Sequence, residues 1–198
     1  MFAVSTASVD STAIFNNFKN TLKNIIEKYG TGKVRYAIIP FGTQATTAVA
    51  FTKDPPSQDL LKQQIDTMVP SVGDPDVKKA LEEAKNLFGI APERPKAKKV
   101  LVILTDKKSV NVLSALKMAA KPLEENKIKI VPVAIGNEAS KKELLSLTTN
   151  EGYLVKSSSE DRPNHLAQKI MEKVIMGKLF EVNISALQDF FLLVNIFK

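Results

Sequence analysis

A chain of 198 residues with an apolar fraction of 44% and a charged fraction of 25% is long enough to bury one domain's core, and reads as neither disordered, collagenous nor low-complexity. Cysteine is absent, which excludes disulfides, thiolate metal sites and cysteine nucleophiles without fixing the compartment. The net charge of +7 points to anionic partners, no apolar run approaches the roughly 18 residues of a membrane span, and no signal peptide is legible before the first strand.

In chain order, Phe2–Val4 is a short apolar strand broken by Ser5, Thr6 and Ser8, with Asp10 or Ser11 available as a helix cap. Ile14, Phe15, Phe18, Leu22, Ile25 and Ile26 then recur at helical spacing, and Gly30 and Gly32 stop that helix. Two β-rich runs, Val34–Phe41 and Thr46–Phe51, flank Gly42-Thr43-Gln44 and read as a hairpin. Past Pro55-Pro56, Leu60, Leu61, Ile65 and Met68 carry a second helix. Val77, Ala80, Leu81, Ala84 and Leu87 carry a third. Val100–Leu104 is continuously apolar, as a strand buried on both faces of a parallel sheet requires. A helix over Val112–Ala120, a buried strand over Ile128–Ile135, a short helix over Lys141–Leu147, an edge strand over Gly152–Val155 and a closing helix over Leu166–Met176 follow.

This alternation predicts an α/β, doubly wound fold. Its six-stranded sheet is mostly parallel, has one antiparallel edge strand, and carries helices on both faces. Ligands of such folds dock at the carboxyl ends of the strands, so the segments of interest are 5–10, 72–76, 106–111 and 136–140.

The segment Val100-Leu-Val-Ile-Leu-Thr-Asp106 followed by Ser109 resembles the fourth strand of von Willebrand factor type A domains, which ends in Leu-Thr-Asp-Gly. Ile128-Lys-Ile-Val-Pro-Val-Ala-Ile-Gly136 is similar to the family's fifth strand, and Tyr36-Ala-Ile-Ile-Pro-Phe41 to its second. Lys142-Glu-Leu-Leu145 and the segment around Leu166–Val174 fall where the family places its last elements. The resemblance implies a type A domain over residues 1–179, with the first strand cut short, and a C-terminal extension over 180–198. The matrilin and collagen VI group is the nearest in flavour.

The resemblance also implies a metal-ion-dependent adhesion site built from Asp-x-Ser-x-Ser, a loop threonine and the aspartate of Leu-Thr-Asp. These would hold Mg2+ or Mn2+ with one position open to a partner's carboxylate. Here the site is degenerate. Val4 stands for the leading aspartate and Pro75 for the threonine, which leaves Thr6, Ser8 and Asp106 as metal ligands, with Asp74, Asp76 or Asp10 as substitutes. Thr6 and Ser8 are better read as caps of the turn into the first helix, the usual job of hydroxyls in that position. Lys107 and Lys108 would oppose a cation beside Asp106. Together with Ser109 they form the expected partner-binding edge, so binding should weaken with salt and ignore chelators.

No catalytic residue is expected, because the one histidine, His165, lies far in sequence from any strand-end loop, and neither a Gly-x-Ser-x-Gly elbow nor a phosphate-binding loop occurs. The acidic pairs Glu82-Glu83, Glu124-Glu125 and Glu160-Asp161 read as solvated charge. So does the densest basic cluster, Arg94, Lys96, Lys98 and Lys99, whose alternative is an anion site. Asn183-Ile-Ser185 is an N-glycosylation sequon, and the apolar run Phe190–Val194 reads as a surface to be covered. The resemblance implies a non-catalytic, secreted module of the extracellular matrix in a multi-domain array. Its partner would be a matrix or cell-surface protein, collagen-like or acidic, or an anionic polysaccharide. The alternative is an intracellular scaffold that binds anionic lipid or nucleic acid through its basic surface.

Overall fold

The apolar runs become strands wherever both of their faces can be covered. The computed structural model describes residues 1–7, 12–148 and 150–176. Within them β1 (Phe2–Ser5), β2 (Ile38–Phe41), β3 (Val100–Thr105), β4 (Lys129–Ile135) and β5 (Val155–Ser157) form one sheet in the order β2-β1-β3-β4-β5. Every pairing in it is parallel. The helices are α1 (Thr12–Tyr29), α2 (Gln58–Asp66), α3 (Val77–Ile90), α4 (Leu113–Glu125), α5 (Lys141–Leu145) and α6 (Pro163–Met176).

Strand side chains alternate between two cores, as the period of 2 demands. Val4, Val102, Leu104, Val131 and Val133 pack with α1, α2 and α6. Ala3, Leu101, Ile103 and Ile130 pack with α3 and α4. The helical stripe expected on α1 is its buried face: Phe15, Phe18, Leu22, Ile25 and Ile26 are all at most 1% exposed. Burying each such side chain contributes roughly 1.5–3 kcal/mol. Gly30, at φ 65°, ends α1, and its N–H donates to the Ile26 carbonyl at 2.8 Å.

Two expected edges differ. The hairpin's second strand over Thr46–Phe51 is reduced to isolated antiparallel bridges, Ile38 with Val49 and Phe41 with Ala45. These pairs are three residues apart on one side (38 to 41) and four on the other (45 to 49), so an extra residue bulges out. Pro40, between them, has no N–H to continue a ladder. The sheet is therefore five-stranded and parallel, without the antiparallel edge strand. At the other edge β5 begins only at Val155, after a 3-10 turn over Glu151–Tyr153. The Gly136 N–H bonds to the Ser157 carbonyl at 2.9 Å. Counting back in twos from Gly136 brings Pro132, which has no donor, to the same edge just where β5 has not yet begun.

The 180–198 extension and the sequon at Asn183 lie outside the described residues, as do Ser8 and Asp10.

Candidate functional site at the strand ends

Because the strands are parallel, their carboxyl ends share one pole, and the segments after β1, β3 and β4 meet there the one before α3. Val4 pairs with Leu104, so Thr6 and Asp106, each two residues further on, leave adjacent strands side by side, about 4.8 Å apart.

Thr6 is bound away from Asp106. Its N–H donates to the Phe41 carbonyl at 2.7 Å, its carbonyl accepts from the Ser71 N–H at 2.6 Å, and its hydroxyl meets the Ser71 hydroxyl at 2.7 Å. Gly42 makes that approach possible, since a Cβ there would fall 2.1 Å from Ser71 Oγ and 3.3 Å from Thr6 Oγ1. Beside them opens a cavity of about 370 Å³, lined by Thr6, Pro40, Thr43, Thr46, Met68 and Ser71 among others, with no charged side chain in its wall.

Val4, aligned with the leading aspartate of the adhesion site, is a core side chain with 0% exposure. Strand β1 ends one residue later at Ser5, whose buried hydroxyl has no hydrogen-bond partner among the described residues. Counting Asp-x-Ser-x-Ser from Ser5 puts Ala7 and Val9 at the hydroxyl positions. From either starting point the leading carboxylate is missing.

Asp106 is buried, at 6% exposure. Beyond it the Thr105 hydroxyl donates to the Lys107 carbonyl at 3.0 Å and accepts from the Lys107 N–H at 3.3 Å. This turn leaves Lys107 half-buried and Lys108 exposed. Asp74 is exposed. Asp76 caps α3, its carboxylate accepting from the Lys79 N–H at 3.1 Å.

Ser109 corrects an expectation. It is 6% exposed and does not form part of a contact edge. Its hydroxyl accepts from the N–H groups of Val77 (3.3 Å) and Asn111 (3.2 Å) and lies within donating distance of the Pro75 carbonyl (3.1 Å) and Asn111 Oδ1 (2.8 Å). Its own N–H donates to Glu143 at 2.9 Å. Ser109 thus locks the loop after β3 to the start of α3 and to α5. Sequence reasoning missed Glu143, whose signal was local: Ser140 and Glu143 have capping-box spacing, and Ser140 Oγ does accept from the Glu143 N–H. The Glu143 carboxylate, however, reaches across to Ser109 and is 8% exposed.

His165 sits in the first turn of α6, its side chain 57% exposed and 3.4 Å from Asp161. A divalent cation needs several hard oxygen donors. Among the described residues no three Asp, Glu or His side chains group to hold one. At the family's positions Pro75 offers no hydroxyl, Val4 no carboxylate, and the Thr6 hydroxyl is engaged with Ser71. The donors among the described residues do not fit the ion.

Residues 5–172 match the model of the von Willebrand factor type A domain. The fold is similar to that of proximal thread matrix protein 1 from the mussel byssus, solved with a zinc-occupied adhesion-site motif: TM-score 0.75, 22% identity, 87% of this chain and 44% of that one. It is also similar to a von Willebrand factor type A protein from Catenulispora acidiphila, with TM-score 0.70, 20% identity, and 86% and 40% coverage. A third likeness is to the conserved hypothetical protein BatB from Bacteroides thetaiotaomicron, with TM-score 0.65, 13% identity, and 87% and 97% coverage. The chain thus spans less than half the length of the first two. It belongs to the von Willebrand factor type A domain family, whose members are protein-interaction modules.

Proposed function

We propose that this domain is a non-catalytic adhesion module of the extracellular matrix, and that it binds an acidic or collagen-like protein at its strand-end rim without a resident divalent cation. The observation that carries the reading is the exchange of oxygen donors for other groups. Val4 is in the core, Pro75 stands in the threonine's place, and two lysines follow Asp106. A cation bridging to a partner's carboxylate needs those donors. Lys108 and the half-buried Lys107 can meet an acidic group directly, as point charges with few geometric demands. The Thr105 hydroxyl, bonded to both the N–H and the carbonyl of Lys107, holds the turn that presents them. A matrix setting is supported by the likeness to a byssus matrix protein.

Calorimetric titration with Mg2+ and with Mn2+ tests the site, with Asp106→Ala as control. The expected result is no heat above that of the variant. Immobilised collagen tests the rim. Binding should weaken as salt screens the lysines, survive chelator, and fall roughly ten-fold in Lys107→Glu/Lys108→Glu. Saturable ion binding lost in Asp106→Ala, with partner binding abolished by chelator and indifferent to salt, would sink the reading.

A further inference from the structure

The amino ends of the parallel strands and the carboxyl ends of α1, α3, α4 and α6 gather at the opposite pole, away from the rim. Basic residues collect there. Lys33 precedes β2; Arg94, Lys96, Lys98 and Lys99 precede β3; Lys129 opens β4; Lys173 lies in the last turn of α6. Contacts join them into one row. Arg94 donates to the Lys33 carbonyl at 3.2 Å, the Lys129 N–H donates to the Lys99 carbonyl at 3.0 Å, and Lys129 Nζ donates to the Lys173 carbonyl. From β2 to β4 is three strand spacings, roughly 14 Å. The acids nearest in sequence are Glu172 beside Lys173, Glu93 in the same loop as Arg94, and Glu124 and Glu125 at the end of α4.

We infer that this row is a second binding surface, and that its ligand is a linear sulfated polysaccharide. Helix carboxyl ends attract cations, and this accounts for Lys129, whose ammonium rests on the last turn of α6. It does not account for the loop side chains, since Arg94, Lys96, Lys98 and Lys99 are all exposed. The concentration of like charge is felt at Lys129, where burial, then Lys98 and Lys173, lowers the pKa from the ordinary lysine value. A polyanion laid along the row relieves that repulsion.

Other polyanions fit less well. Single-stranded nucleic acid uses free aromatic faces for stacking, whereas the face of Tyr153 is covered by Lys129 Nζ, 3.9 Å from the ring centroid. An anionic bilayer needs an apolar surface continuous with the charge. Among the described residues, the exposed Ile90 and Ile175 lie in the last turns of α3 and α6, which pack on opposite faces of the sheet. The row offers exposed charge in a line along the sheet's end, and a chain of sulfates matches a line of charges.

The test is titration of size-defined heparin oligosaccharides into the full chain across a salt series. Wild type should bind with an affinity that falls steadily as salt rises. Lys96→Gln/Lys98→Gln/Lys99→Gln should bind roughly ten-fold more weakly. The charge-keeping set Lys96→Arg/Lys98→Arg/Lys99→Arg should bind as wild type does, which separates charge from fold. Lys107→Gln/Lys108→Gln should also bind as wild type, so failure here and failure of the rim reading are distinguishable. Equal binding by the glutamine set would overturn the inference, as would weakening by the rim pair instead. So would a DNA duplex or phosphatidylserine vesicles competing better than the oligosaccharide.

Discussion

The phenol of Tyr36 stacks on Phe2 with ring centroids 6.4 Å apart, while its buried hydroxyl has no hydrogen-bond partner among the described residues. Burial, with Tyr29 second, pushes its pKa up to about 12. An unpaired buried hydroxyl costs about 1 kcal/mol or more, so Tyr36→Phe, which keeps the stack, should raise stability by about 1 kcal/mol in urea unfolding. The folded pKa lies above the unfolded value near 10. Stability is therefore lost as pH rises between about 10 and 12, and the phenylalanine variant should lack that share of the alkaline loss. Asp161 shows the opposite sign. Lys169 at 2.7 Å, then the Ser157 hydroxyl and His165, hold its carboxyl well below the usual carboxylate range. That contribution is present above the ordinary carboxylate pKa and lost as pH falls through the lower folded value. With the side chain 19% exposed, Asp161→Asn should cost about 1 kcal/mol near neutrality. It should also flatten the acid limb of a stability-against-pH curve.

At the scale of elements, the rim is held by side chains that bridge loops more than by helix or strand ends alone. Ser109 supplies the acceptor for the N–H groups of Val77 and Asn111, while its own N–H engages α5 through Glu143. Ser109→Ala leaves those donors unsatisfied, and a loss of about 1–3 kcal/mol is expected. Amide exchange should speed up at Val77 and Asn111 specifically, and a loss spread evenly over the chain would contradict this role. The two prolines act on elements in the same way, by removing a donor. Pro40 interrupts the pairing at the β2 edge, and Pro132 faces the one stretch of β4 where no neighbouring strand needs an N–H.

Across the whole molecule, parallel strands separate two poles along β4, whose seven residues span roughly 23 Å. The Debye length at physiological salt is about 8 Å, so charges at one pole barely influence binding at the other. The lysine pair after Asp106 and the basic row before β3 can thus be tested independently, and each variant set serves as the other's control. On the two proposals, a partner at the rim and a polysaccharide at the opposite pole would be held together.

The elements most legible in the sequence are those specified by their own periodicity. The continuous apolar run Val100–Leu104 is β3, the stripe from Phe15 to Ile26 is the buried face of α1, and alternating strands and helices fixed the doubly wound class. The segment ending at Asp106 carried the family. Each of these is local, because burial on one or both faces imposes a pattern on neighbouring residues. The hairpin failed for a reason visible only when both of its sides are paired, since a bulge and a missing donor depend on register. The side chains of the rim were the least legible. Thr6 meets Ser71 across 65 positions, and Ser109 meets Glu143 across 34. The sequence by itself determined the apolar cores of the strands and helices and in what order the elements follow. The tertiary structure alone decided which hydroxyls and carboxylates lie within hydrogen-bonding reach, because that reach depends on distances between segments that no local pattern records.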